Sequence, residues 1–283
     1  MHVGGDRNEL AARSEFYLCL AGAFMAPSHD AMFHALRDAL AEDLGDLAAQ
    51  LGYAIDAPLA HYRQQIQRIA NPARLLQIYS ALFVAPPSAA HINVGRYLDG
   101  AIDGGSVKAM EQAYRLCGIE RDARFRDLSD HVSVQLEFVA FLYAAAALHC
   151  DGDASGEPLP VDPGEFLQTF ATRWLGGLCS DLARAGVERN LEANPYEPLA
   201  LILRAAVLCD ATALVVDAKA ARRQRAIETA RSKHFGRAIT AEDMAQIARK
   251  LEEHGLSTQH LSVPVDRRDA EMGLEKRATP GPR

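Results

Sequence analysis

Apolar residues recur along this chain at intervals of three and four, and no stretch alternates with a period of two. The first spacing is typical of helices that bury one face, whereas the second would indicate strands. The periodic stretches predict helices over about 10–24, 32–45, 59–69, 75–82, 107–117, 129–149, 164–185 and 195–218. The expected fold class is therefore all-α, with a single multi-helix domain.

Proline and glycine mark where several of these helices should end. Pro27 should stop the first helix, with Ser28 capping the second, and Gly45 should stop the second. Asn71-Pro72 should close the third. Gly118 is expected to adopt a left-handed conformation as the C-cap of its helix. The stretch 129–149 is apolar on nearly every face, which predicts a helix at the centre of the core.

Two segments interrupt or follow the periodic pattern. Asp151 to Pro163 contains Gly, Pro and Asp and is expected to be an exposed linker. After Val216, Lys and Arg cluster between positions 219 and 237, and a short helix is predicted from Thr240 to His254. We therefore predict a helical domain over 1–218 and a basic helical extension with a disordered tail over 219–283.

Composition excludes several classes of protein. The chain has 283 residues, 49% hydrophobic and 24% charged, which is enough apolar surface to bury a core. A formal net charge of −7 argues against nucleic-acid binding, because neutralising phosphates takes an excess of Lys and Arg. Nowhere do about eighteen apolar residues follow one another, so we expect a cytoplasmic protein without a membrane span. The five cysteines are scattered singly, as expected of reduced core residues: Cys19, Cys117, Cys150, Cys179 and Cys209.

One polar cluster stands out in a chain without a nucleophile, phosphate-loop or metal-site motif. It is Asp127-Leu128-Ser129-Asp130-His131, directly before the apolar helix that contains Glu137. Asp127 or Ser129 would cap that helix, with Asp130 in its first turn, where a carboxylate is favoured by about 0.3–1 kcal/mol. Capping accounts only weakly for His131 and Glu137, so a binding site here remains the second interpretation. The missing motifs predict no catalysis and no cofactor.

The start of this helix resembles that of the TorD/DmsD/NarJ family, which are chaperones for molybdopterin enzymes. The family's D-H-ϕ-x-x-x-L-E-F-M is similar to Asp130-His131-Val132-x-Val134-x-Leu136-Glu137-Phe138-Val139. The order of other motifs also fits: Tyr79-x-x-Leu82-Phe83, Tyr97, Tyr114-x-x-Cys117-Gly118, Trp174-Leu175 and Asn194-Pro195-Tyr196. The resemblance runs from about Glu9 to Val216. Asp127-Leu128-Ser129 departs from the family's E-P-x, and Asn93-Val94-Gly95-Arg96-Tyr97 departs from its aromatic-Glu-Ser element.

The resemblance implies the TorD/DmsD-like helical fold and a cytoplasmic chaperone. Such chaperones bind the N-terminal, often twin-arginine, leader of a molybdopterin oxidoreductase catalytic subunit and hold the apo form until the molybdenum cofactor is inserted. By carry-over, Asp127, Asp130 and His131 would lie at the leader-binding groove, with Glu137 and Tyr97 nearby. Carboxylates suit two arginines because they bind guanidinium groups through charge-assisted hydrogen bonds. The resemblance leaves the client and the formation of a homodimer open.

Two other functions stay compatible with the residues. In a helical metal- or small-ligand-binding enzyme, Asp127, Asp130 and His131 would be ligands or acid–base groups. In an adaptor subunit, the basic segment from Arg222 to Arg237 would dock an acidic partner. An exposed basic helix is, however, more often only a solvated face.

Overall fold

The structure, a computed structural model, describes residues 6–120, 127–149 and 159–212. The chain divides into two units, 1–219 and 220–283, and every described residue lies in the first. The predicted basic extension, the helix over 240–254, the tail and most of the linker lie outside the described residues. The boundary near residue 218 therefore stays a prediction.

The described part is built from helices and contains no strand, which confirms the all-α fold class. The helices are α1 Arg7–Ala23, α2 Asp30–His34, α3 Leu40–Leu51, α4 Asp56–Gln67, α5 Pro72–Tyr79, α6 Gly95–Asp99, α7 Gly105–Leu116, α8 Val132–His149, α9 Pro163–Phe166, α10 Thr172–Glu188 and α11 over 196–212. Three π-helical turns connect or extend them. Ala35–Ala39 joins α2 to α3, Ser80–Val84 continues α5, and Leu167–Ala171 joins α9 to α10.

Two of the predicted helix ends are wrong. The second helix passes through Gly45 and ends at Gly52, which has a left-handed φ of 70°. Its start is capped by His29, whose Nδ1 accepts a hydrogen bond from the Met32 N–H at 3.2 Å, and not by Ser28.

Two other helix ends are close to the prediction. Gly118 has the expected left-handed φ, 68°. The third predicted helix, α4, ends at Gln67, four residues before Asn71. Asn71 instead begins α5 by accepting a hydrogen bond from the Arg74 N–H at 2.9 Å, with Pro72 in the first turn.

The centre of the fold is formed by α1 and α8. The two helices pack along each other, and α1 also contacts α3. Tyr17 on α1 and Tyr143 on α8 stack with ring centroids 5.7 Å apart. Most of α8 is buried, which confirms the predicted central helix. In the described part, α8 is the one helix long and apolar enough to cross a membrane; 56% of it is buried, as in the core helix of a folded protein.

A buried carboxylate ties α11 to the rest of the core. Asp210 accepts hydrogen bonds from Arg13 Nε at 3.1 Å and from the hydroxyls of Tyr17, Tyr53 and Tyr143 at 2.8 to 3.1 Å. Only 3% of Asp210 is exposed. Because these donors come from α1, from the turn before α4 and from α8, one side chain of α11 connects three other parts of the fold.

The cysteine prediction is only partly right. Cys19, Cys117, Cys179 and Cys209 are free thiols, and Cys150 lies outside the described residues. Only Cys179 among those four is buried, and Cys209 is exposed. The predicted core location is therefore wrong for Cys209. The prediction relied on the apolar residues around it, but Cys209 lies on the outward-facing side of α11.

Candidate functional site

The predicted site residues meet where the loop before α6 pairs with the segment before α8. Asn93 and His131 form an isolated antiparallel bridge. The Val94 N–H donates to the Asp130 carbonyl at 3.0 Å, and the Val132 N–H donates to the Ile92 carbonyl at 2.9 Å. These two bonds bring Asn93 and Gly95 to the carboxylates of Asp127 and Asp130. We call Asn93, Gly95, Asp127, Asp130 and His131 the α8 cluster.

Asp130 is fully buried, and both of its carboxylate oxygens accept hydrogen bonds. Its Oδ2 accepts from the Gly95 N–H at 2.8 Å, and its Oδ1 accepts from Asn93 Nδ2 at 3.3 Å. Its exposed fraction is 0%. Burial raises the pKa of the Asp130 carboxyl, and the hydrogen bonds from Gly95 and Asn93 oppose that rise. The side chain therefore holds the loop against α8 from inside the fold.

Gly95 allows this close approach because it has no side chain. A Cβ at this position would lie 2.7 Å from Val107 Cγ2 and 2.8 Å from Asp130 Oδ2. Contacts that short essentially never occur, so a larger residue would separate α6 from α7 or from Asp130.

His131 caps α8, which corrects the expectation that Asp127 or Ser129 would do so. Its Nδ1 accepts from the Ser133 N–H at 3.1 Å, so this nitrogen carries no proton and the ring is neutral with its proton on Nε2. Burial lowers the pKa of His131, and the nearby Asp127 opposes that change. Ser129 instead donates its hydroxyl to Glu111 Oε1 at 2.7 Å. Asp130 precedes the helix and does not lie in its first turn.

Asp127 is the more accessible carboxylate of the α8 cluster. It is half-buried and accepts from Asn93 Nδ2 at 3.0 Å and from the Leu128 N–H at 2.7 Å. The Asn93 amide therefore bridges Asp127 and Asp130. It supplies a hydrogen-bond donor to both carboxylates, which lie three residues apart in the chain.

Tyr97 lies two residues after Gly95 on α6, and both its hydroxyl and its ring make contacts that fix its position. Its hydroxyl accepts from the His91 N–H and donates to Asp181 Oδ2, both at 2.9 Å. Its ring covers Gly177 of α10, where an added Cβ would lie 2.6 Å from Tyr97 Cδ1. Burial raises the pKa of the Tyr97 hydroxyl. Tyr97 thus connects the loop to α10.

Glu137 stands apart from the α8 cluster. It lies on the exposed side of α8, six residues after His131 and roughly 9 Å further along the helix axis. Partial burial raises the pKa of the Glu137 carboxyl. Glu137 can stand within an apolar run because it lies on the side of α8 that the core does not cover.

Three residues of this region were not predicted as site residues: Asn93, Gly95 and Asp181. Each is defined by a contact with a residue far away in the chain, so the local sequence contains little signal for it. The one available hint was the polar Asn93-Val94-Gly95 stretch after a proline-containing loop. Within the described ranges, no group of three or more His, Cys, Asp or Glu side chains is placed to hold a metal ion. The metal-site alternative therefore has no structural support there.

Comparison with known proteins links this region to one family. A family model described as the nitrate reductase delta subunit matches residues 33–180. The matched range begins within α2 and ends within α10, so it includes the whole α8 cluster, Tyr97 and Glu137. A search of curated proteins gives no match.

Proposed function

Since the chain belongs to the nitrate reductase delta subunit family, which is a NarJ- and TorD-type chaperone family, we propose that it matures a molybdopterin oxidoreductase. It binds the N-terminal leader and the apo form of the catalytic subunit in the cytoplasm. It releases that subunit after the molybdenum cofactor has been inserted. It acts by binding and has no catalytic turnover.

The observation that carries this proposal is the family match over residues 33–180. The matched range holds the loop, the α8 cluster and the first half of α10. Hydrogen bonds of Asp130 and Tyr97 join these parts into one unit, with the Tyr97 bond reaching Asp181, the residue after the matched range. A rigid surface on helices suits recognition of a peptide, because less conformational entropy is lost on binding.

The five predicted leader-binding residues divide into two roles under this proposal. Asp127 and Glu137 present carboxylate oxygens near or at the surface, where the guanidinium groups of a twin-arginine leader can pair with them. Asp130 and His131 are buried and act as positioning residues that hold the loop and the start of α8. Tyr97 positions the loop against α10.

The test is co-purification of the full chain with molybdopterin oxidoreductase catalytic subunits from its own organism. Each subunit is produced with and without its N-terminal leader, in cells that make the molybdenum cofactor and in cells that do not. We expect capture of one subunit in its leader-bearing apo form and release when the cofactor is supplied. Capture of none of these subunits, or equal capture of the loaded form, would refute the proposal.

The proposed leader contacts are tested by variants with matched controls. Asp127→Asn with Glu137→Gln should weaken capture of the client. Glu42→Gln with Glu188→Gln changes the net charge equally at exposed positions on α3 and at the end of α10, and it should leave capture unchanged. Equal capture by both pairs would remove Asp127 and Glu137 from the leader site without removing the chaperone function.

A further inference from the structure

Asn93 contacts both carboxylates of the α8 cluster. Its Nδ2 donates to Asp127 Oδ1 at 3.0 Å and to Asp130 Oδ1 at 3.3 Å. The antiparallel bridge with His131 fixes the backbone of Asn93 at the same place. The half-buried side chain is therefore held beside the two acids both through its backbone and through its amide nitrogen.

The chemistry of the acids decides which way the Asn93 amide faces. An ionised carboxylate accepts hydrogen bonds and donates none, so the NH2 group of Asn93 faces Asp127 and Asp130. Oδ1, the other end of the planar amide, is then turned away from them. Among the described residues it accepts no hydrogen bond, and it is not one of the polar atoms that the fold encloses without a partner. Oδ1 is therefore an accessible acceptor.

Asp127 is oriented by the same amide. Its hydrogen bonds from Asn93 Nδ2 at 3.0 Å and from the Leu128 N–H at 2.7 Å both end on Oδ1. Two donors on one oxygen restrict the rotation of the carboxyl group, and they set the direction of its second oxygen. The Asp127 carboxylate and the Asn93 carbonyl oxygen are therefore neighbouring acceptors, one charged and one neutral, in a fixed relative orientation.

The loop before α6 does not depend on Asn93 alone. Asp130 accepts a shorter hydrogen bond from the Gly95 N–H, 2.8 Å against 3.3 Å from Asn93. Two backbone hydrogen bonds join the same segments. All three remain when the Asn93 amide is removed, so the effect of that amide falls mainly on Asp127.

Such a pair of acceptors distinguishes a guanidinium group from an ammonium group. Arginine presents five N–H donors in a rigid planar fork, which can reach two acceptors at once at fixed angles. Lysine presents three donors around one compact and strongly hydrated charge, which depends less on the direction of its acceptors. An oriented carboxylate beside a carbonyl oxygen therefore favours arginine.

We propose that Asn93 is a specificity-determining residue of the leader site. It selects arginine over lysine by orienting Asp127 through Nδ2 and by accepting from the same guanidinium group through Oδ1. The inference rests on the proposed function for the presence of a leader at Asp127, and it goes beyond that function by assigning a residue and a chemical preference. Asn93 lies in the stretch that departs from the family's aromatic-Glu-Ser element, so the preference is a property of this chain.

The test compares two forms of one leader. The probe is the leader-bearing subunit captured by co-purification, with the basic residues of its leader all arginine in one form and all lysine in the other. Biolayer interferometry at low salt measures both dissociation constants with the full-length protein. We expect wild type to bind the arginine form about threefold to tenfold more tightly, because an exposed charged contact contributes modestly.

Three variants separate recognition from stability. Asn93→Leu keeps the size of the side chain but removes its donor and its acceptor, and it should bring the ratio of the two dissociation constants close to one. Asp127→Asn should do the same, and adding Asn93→Leu to it should change the ratio no further. Asn194→Leu is the matched control, because it removes an amide that donates to the Leu182 carbonyl, outside the α8 cluster. It should lower stability, measured by urea unfolding, without changing the ratio.

A second measurement reports the contact with Asn93 directly. Labelling asparagine with 15N gives five side-chain amide signals, and the signal lost in Asn93→Leu identifies that of Asn93. A peptide of the arginine leader should shift this signal more than the lysine peptide does. If Asn93→Leu does not fold, Asn93→Ser takes its place, since the shorter side chain cannot span both acids.

Each outcome supports or overturns the inference. A preference for arginine that Asn93→Leu removes and Asn194→Leu keeps supports it. Equal binding of both leader forms by wild type, a preference that survives Asn93→Leu, or a client leader without arginine overturns it, while capture of the client leaves the proposed function standing. An equal loss of preference in Asn194→Leu also overturns it, because the effect is then one of stability. If no molybdopterin subunit is captured, the proposed function and this inference fail together.

Discussion

The Asp130 carboxylate accepts a hydrogen bond from the Gly95 backbone N–H at 2.8 Å, across 35 residues of chain. With the bonds of Val94 and Val132 to the same region, it joins the loop before α6 to the start of α8. The Asp130 carbonyl also accepts from Gln135 Nε2, and Gln135 in turn accepts from Trp174 of α10. The loop, α8 and α10 are thus linked through two buried residues, Asp130 and Gln135.

Gly95→Ala should destabilise the protein by about 1–3 kcal/mol, the usual cost of overpacking. The added Cβ would lie 2.7 Å from Val107 Cγ2 and 2.8 Å from Asp130 Oδ2, so either α6 must move or the hydrogen bond to Asp130 must lengthen. Urea unfolding monitored by circular dichroism measures the loss. Gly105→Ala is the control, because a Cβ there meets nothing within 4 Å. Equal midpoints for the two variants would contradict the close approach.

Much of the helical fold could be predicted from periodicity, whereas the helix boundaries depended on tertiary packing. Gly45 was expected to end a helix but lies within one. Its Cβ position is 3.3 Å from Leu59 Cδ2, so the glycine allows α3 to approach α4. A local pattern cannot distinguish a glycine that ends a helix from one that admits a neighbouring helix.

The location of the candidate site in the sequence could be predicted, but the hydrogen bonds and the burial of its residues could not. Asp127, Asp130 and His131 do lie together, since they are close in the chain. The partners of Asp130 lie 35 and 37 residues away, and no spacing rule connects them. The burial of Asp130 and His131 follows from those distant contacts, and so it was not foreseen. Their direct contact with a leader remains a prediction.

His131→Asn should make the stability of the protein less sensitive to acid. The folded-state pKa of His131 is lowered by burial. As the pH falls below about 6.5, the unfolded chain gains a proton that the folded state does not, so stability due to His131 falls as the pH falls. Asparagine keeps a cap acceptor for Ser133 without titrating.

The measurement for His131 is the free energy of unfolding at pH 7.5 and 5.5 for wild type and variant. Groups that titrate in both proteins cancel in the difference. Wild type should lose up to about 1.4 kcal/mol more than His131→Asn between these two values. An identical loss in both proteins would show that His131 does not remain neutral in the fold.

Two neighbouring glycines of α10 should respond in opposite directions to alanine. Gly176 has free space around an added Cβ, so Gly176→Ala should stabilise α10 by about 0.5–1 kcal/mol. Gly177→Ala would push into the Tyr97 ring and disturb its bonds to His91 and Asp181, at a cost of about 1–3 kcal/mol. Thermal unfolding of both variants measures the difference. A rise in melting temperature for both would mean that Tyr97 is not fixed against α10.

Burial should decide which of two ion pairs stabilises the fold. Asp210→Asn should cost about 3 kcal/mol, because it removes a buried carboxylate to which three tyrosine hydroxyls donate hydrogen bonds. Among its described ion pairs, Arg13 then keeps only the one with Glu9, which is 2.7 Å long and more exposed. The pair of Arg74 with Glu192 is shorter than that of Arg13 with Asp210, 2.7 Å against 3.1 Å, but exposed. Glu192→Gln should therefore cause no measurable change, since water screens that pair. Urea unfolding of both variants compares them directly. If Glu192→Gln destabilised the protein as much as Asp210→Asn, distance rather than burial would govern these pairs, and the role given to Asp210 in holding α11 would be wrong.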